Sequence, residues 1–62
     1  MSKLGPSQRK TIKLLIRGFT PKEIAFKRGI AHGTAVNHTM RARRRLGYRT
    51  VEQMMYELGK EA

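Results

Sequence analysis

The sequence contains no cysteine and only four acidic residues, all of them glutamates. The lack of cysteine excludes disulfides and thiolate metal sites. The two histidines and four glutamates do not fall at a metal-ligand spacing such as H-x-x-x-H on one helix face. No apolar run approaches the roughly 20 residues that span a bilayer, and the amino terminus lacks the apolar stretch of a secretory signal. We therefore expect a cytoplasmic chain without metal, cofactor or membrane association.

The chain has 62 residues, which allows a single domain over 1–62. A chain of this size buries only about 60% of the surface that its unfolded form exposes. Since no disulfide compensates for the thin core, we expect stabilisation by self-association or by a bound partner.

Positive charge is what this sequence has in excess. Fourteen Lys and Arg residues against four glutamates give a net charge of +10 and an isoelectric point near 11.3. Residues 24 to 51 hold seven of these cations, two histidines and no acid. Such a charge attracts polyanions, and nucleic acid is favoured over a membrane surface because the arginines do not line one side of a strongly apolar helix. Solvated surface charge is the alternative for a single cation, and it is our expectation for Lys10, Lys13 and Arg17.

Four helices are predicted from apolar periodicity and from local end signals. Apolar residues recur at helical spacing over residues 12 to 19. Thr20 with Glu23, and Thr50 with Gln53, each make the pattern of a capping box at a helix start. Glycines follow each helix and supply the left-handed residue that ends it. The helices are expected at about residues 6–17, 21–28, 33–46 and 51–58.

The third helix has two unlike sides when its residues are placed 100° apart. The inward side is small and apolar, with Ala35, Ala42 and Leu46, and it includes His38 as a hydrogen-bonded core histidine rather than a catalytic or metal-binding one. A capped short helix, a glycine turn and this arginine-rich helix are typical of a DNA-reading helix-turn-helix. The fold class predicted is an all-α, compact four-helix domain. The outward side carries Val36, Asn37, Met40, Arg41, Arg43 and Arg44, with Arg45 near the border.

Spaced residues over about 4 to 55 carry a family resemblance. Lys22-Glu23-Ile24-Ala25 is followed by Gly29-Ile30, by Gly33-Thr34 with His38 four residues later, and by Arg44-Arg45-Leu46-Gly47. At these spacings the chain resembles the LuxR/GerE-type helix-turn-helix domain. The resemblance implies four helices, binding in the DNA major groove and dimerisation through the last helix. It also implies a bacterial or phage-encoded, nucleoid-associated protein.

The resemblance assigns roles position by position. Thr34 and Arg44 match family positions close to phosphates, and positions 36, 37, 40 and 41 match the base-facing part of the recognition helix. The sequence departs from the family at Val36, where lysine is usual, so one family DNA contact is absent. It also departs at Ala31, where a capping serine is usual, and at Ala35 and Ala42, where larger apolar residues are usual.

A second resemblance covers the third helix alone. The segment from Thr34, with its Arg41-Ala42-Arg43 and Leu46 ending, is similar to the DNA-reading helix of sigma factor region 4. Both families share the four-helix arrangement, so both imply the same fold. The continuation Gly47-Tyr48-Arg49-Thr50 favours the LuxR/GerE-type match.

The outward side chains of the third helix suit a major groove. Asn37 fits a bidentate contact to adenine and Arg41 to guanine, while Val36 and Met40 fit thymine methyl groups. The alternative is a solvated helix face with two stray apolar residues. Cations at helix ends are expected to contact DNA phosphates. For the arginines at the carboxyl end of the third helix, the alternative is that they only interact favourably with the helix dipole. The phosphate-contacting set is Lys22, Thr34, Arg43, Arg44 and Arg45.

The fourth helix is apolar on more than one side, and Met54, Met55 and Leu58 are predicted to form a homodimer interface. The alternative is that they complete the core and leave a mildly apolar surface. A two-fold dimer would present two recognition helices about 34 Å apart and read an inverted repeat.

These patterns predict a small transcription regulator that binds double-stranded DNA sequence-specifically. No pairing of nucleophile with base and no glycine-rich phosphate loop occurs, so neither an enzyme nor a small-molecule substrate is expected. The alternative is an interaction protein that binds another transcription factor or RNA polymerase through the same fold, which methionine-rich surfaces favour. RNA or non-specific polyanion binding is a third interpretation, and the lack of aromatic side chains on the basic face argues against it.

Overall fold

A computed structural model describes residues 3–61 and shows four α-helices. The all-α, four-helix prediction is confirmed, and the part of the chain described contains no strand. Three boundaries differ from the prediction: the first helix ends one residue earlier, the third begins one residue earlier, and the fourth continues beyond residue 58. The helices are α1 (Pro6–Ile16), α2 (Pro21–Arg28), α3 (His32–Leu46) and α4 (Val51–Glu61).

Gly59 does not end α4, contrary to the prediction. It lies within the helix and is not among the glycines with positive φ. A glycine inside a helix costs about 1 kcal/mol relative to alanine but leaves the backbone free to remain helical. The helix therefore continues to the limit of the described chain.

A three-residue turn, residues 29–31, joins α2 to α3 and makes the helix-turn-helix. Gly29 adopts φ +68°, a left-handed conformation that favours glycine. The Ile30 amide then donates to the Ala25 carbonyl across 3.0 Å, which closes the end of α2. The predicted role of Gly29 is confirmed, and this turn sets the direction in which α3 leaves α2.

The amino end of α2 is closed by its own side chains. The Glu23 amide donates to the Thr20 hydroxyl (3.2 Å) and the Thr20 amide donates to the Glu23 carboxylate (2.9 Å), so the predicted capping box is confirmed. Hydrogen bonds from the Thr20 amide and then the Thr20 side chain hold the pKa of Glu23 below its ordinary value of 4.5. Because the pKa is lowered on folding, this stabilisation is present above pH 4.5 and is lost as the pH falls through the lowered pKa.

The core draws on all four helices and on the segment before α1. Ala35 and Ala42 are fully buried, as predicted, and their small side chains allow α3 to lie close to α1 and α2, its principal neighbours. Leu4, in the segment before α1, folds back onto this core. The buried apolar residues are Leu4, Ile12, Leu15, Ile24, Ala25, Ala35, Ala42, Met54 and Leu58.

Two buried threonines were missed by the sequence interpretation. Thr39 lies on the inward side of α3, and its hydroxyl donates to the Ala35 carbonyl of the preceding turn at 3.0 Å. Thr11 is fully buried on α1, where other helices supply its hydrogen-bond partners. A polar residue is tolerated inside when its hydroxyl finds such a partner, and apolar periodicity does not reveal this.

Thr11 is the centre of a polar link between three helices. The Arg28 Nη1 of α2 donates to the Thr11 Oγ1 (2.9 Å) and to the Ser7 carbonyl of α1 (3.0 Å). On the other side, the His38 Nδ1 of α3 lies 3.4 Å from the Thr11 Oγ1. The half-buried His38 is therefore hydrogen-bonded to the core, as predicted, and the link ties α3 to both preceding helices.

We expect Thr11→Val to lower the free energy of unfolding by about 1–2 kcal/mol, because Arg28 and His38 then lose a buried partner. Urea unfolding of this variant, of Arg28→Met and of the double variant measures the coupling. The double variant should lose less than the sum of the two single losses, by about 0.5–1.5 kcal/mol. Strictly additive losses would mean that the two side chains act independently.

Candidate nucleic-acid interface

The exposed side of α3 is defined by its buried side. Ala35, Thr39 and Ala42 are buried, so residues rotated by about 100–180° from Ala35 face outward. All of those residues are exposed, with Val36 at 38% and Met40 at 36%. The outward face of α3, as we call it, consists of Thr34, Val36, Asn37, Met40, Arg41 and Arg44.

This face is continuous and contains no acidic residue. Residues 34 to 44 cover about 15 Å of helix at 1.5 Å per residue. A helix about 10–12 Å across matches the width of the B-DNA major groove, which is about 12 Å. All four predicted base-contacting residues are therefore brought together on one exposed surface of suitable size.

Arg43 was predicted to contact phosphate, and its position in the structure corrects that prediction. Its half-buried side chain donates from Nη1 to the Tyr48 carbonyl (2.8 Å) and to the Arg49 carbonyl (3.2 Å). These bonds hold the loop between α3 and α4 against the last turn of α3. Sequence periodicity placed Arg43 beside Arg44 but did not show that the loop carbonyls turn back towards it.

Arg44 and Arg45 differ in their surroundings. Arg44 lies at the carboxyl end of the outward face, about 180° around α3 from the buried Ala35, and is exposed. Arg45 is exposed at the opposite edge from Arg43, where its Nη1 donates to the Lys3 carbonyl at 3.3 Å. Only Arg44 is thus placed with the base-facing residues, and Arg45 lies beside the segment that precedes α1.

Lys22 is exposed at the second position of α2. The positive end of the α2 dipole lies here and favours a phosphate. The capping box already holds the Glu23 carboxylate at this end of α2. A phosphate here would therefore meet the Lys22 ammonium beside a negative charge, which weakens the contribution of the dipole.

The start of α3 is open by comparison. Ala31 is the N-cap residue and provides no side-chain hydrogen bond. Its carbonyl accepts from the Thr34 amide (3.0 Å) and the Ala35 amide (3.1 Å). The exposed first turn, beginning at His32, therefore has no side chain closing it.

The predicted dimer interface is wrong for two of its three residues. Met54 is 0% exposed and Leu58 is 6% exposed, because α4 turns this side into the core of its own chain. Met55 is half-buried. The apolar surface that α4 leaves open is centred on Tyr56, which is 64% exposed and has the Lys60 ammonium 4.6 Å from its ring centroid.

A single large apolar side chain stands out on α2. Phe26 is 90% exposed, on the side of α2 opposite the buried Ile24 and Ala25. The other phenylalanine, Phe19, is half-buried, with the Lys27 ammonium 5.0 Å from its ring centroid. Phe26 therefore has no packing role that explains it.

Among the side chains that the structure describes, no three His or Glu residues gather in a way that could hold a metal ion. None of the helices described is both long enough and apolar enough to cross a membrane. Comparison with family models, with curated proteins and with solved structures gave no match to this chain. The described residues form a small all-α domain in which α2, a three-residue turn and α3 make a helix-turn-helix, and α3 has an exposed face that carries arginines and no acid.

Proposed function

We propose that this domain is a transcription regulator that binds double-stranded DNA and reads its sequence in the major groove with α3. One observation carries the proposal. The outward face of α3 is exposed and contains no acidic residue, and α3 is the second helix of the helix-turn-helix. This face combines an amide, two guanidinium groups and two apolar side chains. The LuxR/GerE-type resemblance of the sequence supports the same function.

The proposed division of labour follows from side-chain chemistry. Asn37 has the donor and acceptor pair that matches adenine, and Arg41 has the paired donors that match guanine O6 and N7. Val36 and Met40, about 140° and 100° of helix rotation from Arg41, fit thymine methyl groups. Together these four residues would read a few consecutive base pairs.

Phosphate contacts position such a helix without reading sequence. We assign them to Thr34 and the open first turn of α3, to Arg44 near its end, and to Arg45 and Lys22 at the edges. Arg43 is omitted because its guanidinium holds the loop before α4. This arrangement places backbone contacts at both ends of the base-reading residues.

We also propose a homodimer through α4, with contact residues that differ from those predicted from the sequence. Since Met54 and Leu58 are buried, Tyr56 with the exposed part of Met55 would form the two-fold contact. A dimer of this kind would read an inverted repeat with half-sites about one DNA turn apart.

Selection from a random duplex library at about 150 mM salt tests the function, because binding by charge alone weakens steeply as salt rises. Enrichment of a defined site supports sequence reading by α3, and an inverted repeat supports the dimer. A pool that remains unenriched, although the protein is folded, would refute the sequence-specific function.

Arg44→Ala should weaken binding to all duplexes alike and lower the slope of log affinity against log salt by about one unit, since one phosphate contact is lost. Titrations of the selected duplex and a scrambled duplex at several salt concentrations measure this. Lys27→Ala, which removes one positive charge from an exposed position of α2 outside the outward face of α3, is the control and should leave the slope for a single duplex unchanged. A changed sequence preference in Arg44→Ala would place this residue on bases instead.

The exposed Phe26 favours a second candidate function, binding to another transcription factor or RNA polymerase. An aromatic side chain that is 90% exposed is a typical anchor for a protein partner. This candidate would be supported by an unenriched selection together with binding to purified RNA polymerase that Phe26→Ser weakens.

A further inference from the structure

A second cationic surface lies on α1. Arg9, Lys10, Lys13 and Arg17 are all exposed, and at about 100° per residue they fall within one sector of the helix of about 100°. We call these four residues the α1 cationic face. No acidic residue precedes Glu23 in the sequence, so no neighbouring carboxylate on α1 offsets this charge.

The α1 cationic face points away from α3. The buried residues of α1, including Thr11 and Ile12, lie on nearly the opposite side of the helix and form its contact with the core. α3 packs on that buried side, where Thr11 Oγ1 lies 3.4 Å from His38 Nδ1. The two cationic surfaces are therefore on different sides of a domain whose Cα extents are 26 × 19 × 19 Å.

One straight duplex cannot contact both surfaces. DNA has a persistence length of about 50 nm, so it does not wrap freely around a body only about 20 Å thick. A duplex held by the outward face of α3 would use Arg41, Arg44 and cations at its edges. The α1 cationic face would remain open to another polyanion.

We propose that the α1 cationic face binds the phosphate backbone of a second DNA duplex, so that one domain bridges two duplex segments. The inference rests on the proposed binding of a first duplex by α3. Four cations over about 12 Å of helix suit phosphates spaced along a duplex, and no amide-bearing residue accompanies them to read bases. Contact with the second duplex is therefore independent of sequence.

The chemistry of this face distinguishes duplex DNA from other polyanions. None of its four residues is aromatic, so it lacks the stacking platform typical of single-strand binding. It also lacks the large apolar side chains that an interfacial helix inserts into a membrane. Pro6, Arg9, Lys10 and Lys13 line a shallow, open depression that an exposed phosphate backbone can enter.

A bridging assay tests the proposal. One duplex carrying the selected site is fixed to beads, a labelled duplex is added in solution, and its recovery is measured at about 100 mM salt. The test variant is Lys10→Ala/Lys13→Ala/Arg17→Ala, which keeps Arg9 because its Nη2 donates to the Leu4 carbonyl at 3.5 Å. The control is Lys27→Ala/Arg49→Ala/Lys60→Ala, which removes the same charge from exposed residues outside both faces.

The wild type and the control should recover the second duplex, and the α1 variant should recover about tenfold less. Affinity for a single selected duplex, measured separately, should differ by less than about twofold between the α1 variant and the control. Equal recovery by the α1 variant and the control would overturn the proposal and point to bridging by a dimer. Single-duplex binding by the wild type without any recovery would also overturn it. If the wild type binds no single duplex, the proposed function itself fails. Circular dichroism confirms that each variant is folded.

Discussion

Met54→Ala is expected to leave the domain largely unfolded at room temperature. The Met54 side chain is fully buried between α4 and the rest of the core. Truncation of such a residue to alanine costs about 2–5 kcal/mol. A single core in a chain below about 70 residues rarely supplies more than about 3–5 kcal/mol. The loss is therefore comparable with the whole stability, and helical circular dichroism with urea unfolding will measure it.

Tyr56→Ala on the same helix is the matched control. Tyr56 is 64% exposed, so its truncation should change the free energy of unfolding of the monomer, measured at low protein concentration, by less than about 0.5 kcal/mol. The pair also tests where the dimer contact lies. A folded, fully stable Met54→Ala protein that has lost self-association would return Met54 to an interface and contradict its burial in the core.

The second large effect concerns the reading of DNA. Arg41→Ala is expected to lower affinity for the selected duplex by about 10- to 100-fold, because one good bidentate base contact contributes about 1–3 kcal/mol of discrimination. Affinity for a scrambled duplex should fall only slightly. Titration of both duplexes at one salt concentration gives the ratio that decides this.

Arg44→Ala serves as the comparison for Arg41→Ala, since it removes an identical side chain from the same exposed face. Arg44→Ala should weaken both duplexes by a similar factor and keep their ratio. If Arg41→Ala also keeps the ratio, Arg41 contacts phosphates, and base reading would then rest on Asn37 and the apolar pair beside it.

The domain has two cationic surfaces, and these measurements test different proposed roles for them. A regulator that only occupies a site needs the outward face of α3, whereas one that also joins duplex segments needs the α1 cationic face. Both surfaces are built from exposed cations on helices whose buried sides share one core. Because Thr11 and His38 connect the two helices, a loss of stability would affect both proposed functions, and each variant must be compared at matched folded content.

The sequence alone determined the helices and the exposed face of α3. Thr20 with Glu23 and the glycine at 29 act through bonds to residues a few positions away, so their effects were predictable without the rest of the fold. The alternation of small apolar and long cationic residues along α3 is likewise a property of one helix. Its rotation of about 100° per residue was sufficient to place Asn37 and Arg41 together.

Only the tertiary structure decided which side chains are buried or hydrogen-bonded within the domain. From the sequence, the apolar residues of α4 could lie either in the core or at a dimer interface, because their burial depends on the neighbouring helices. In the folded chain Met54 and Leu58 are buried in the core. Arg43 donates hydrogen bonds to the loop carbonyls, and Thr11 has hydrogen-bond partners on two other helices. These contacts join residues that periodicity treats as independent, so hydrogen bonding and burial in the folded chain were needed to separate structural residues from the exposed residues that we propose bind DNA.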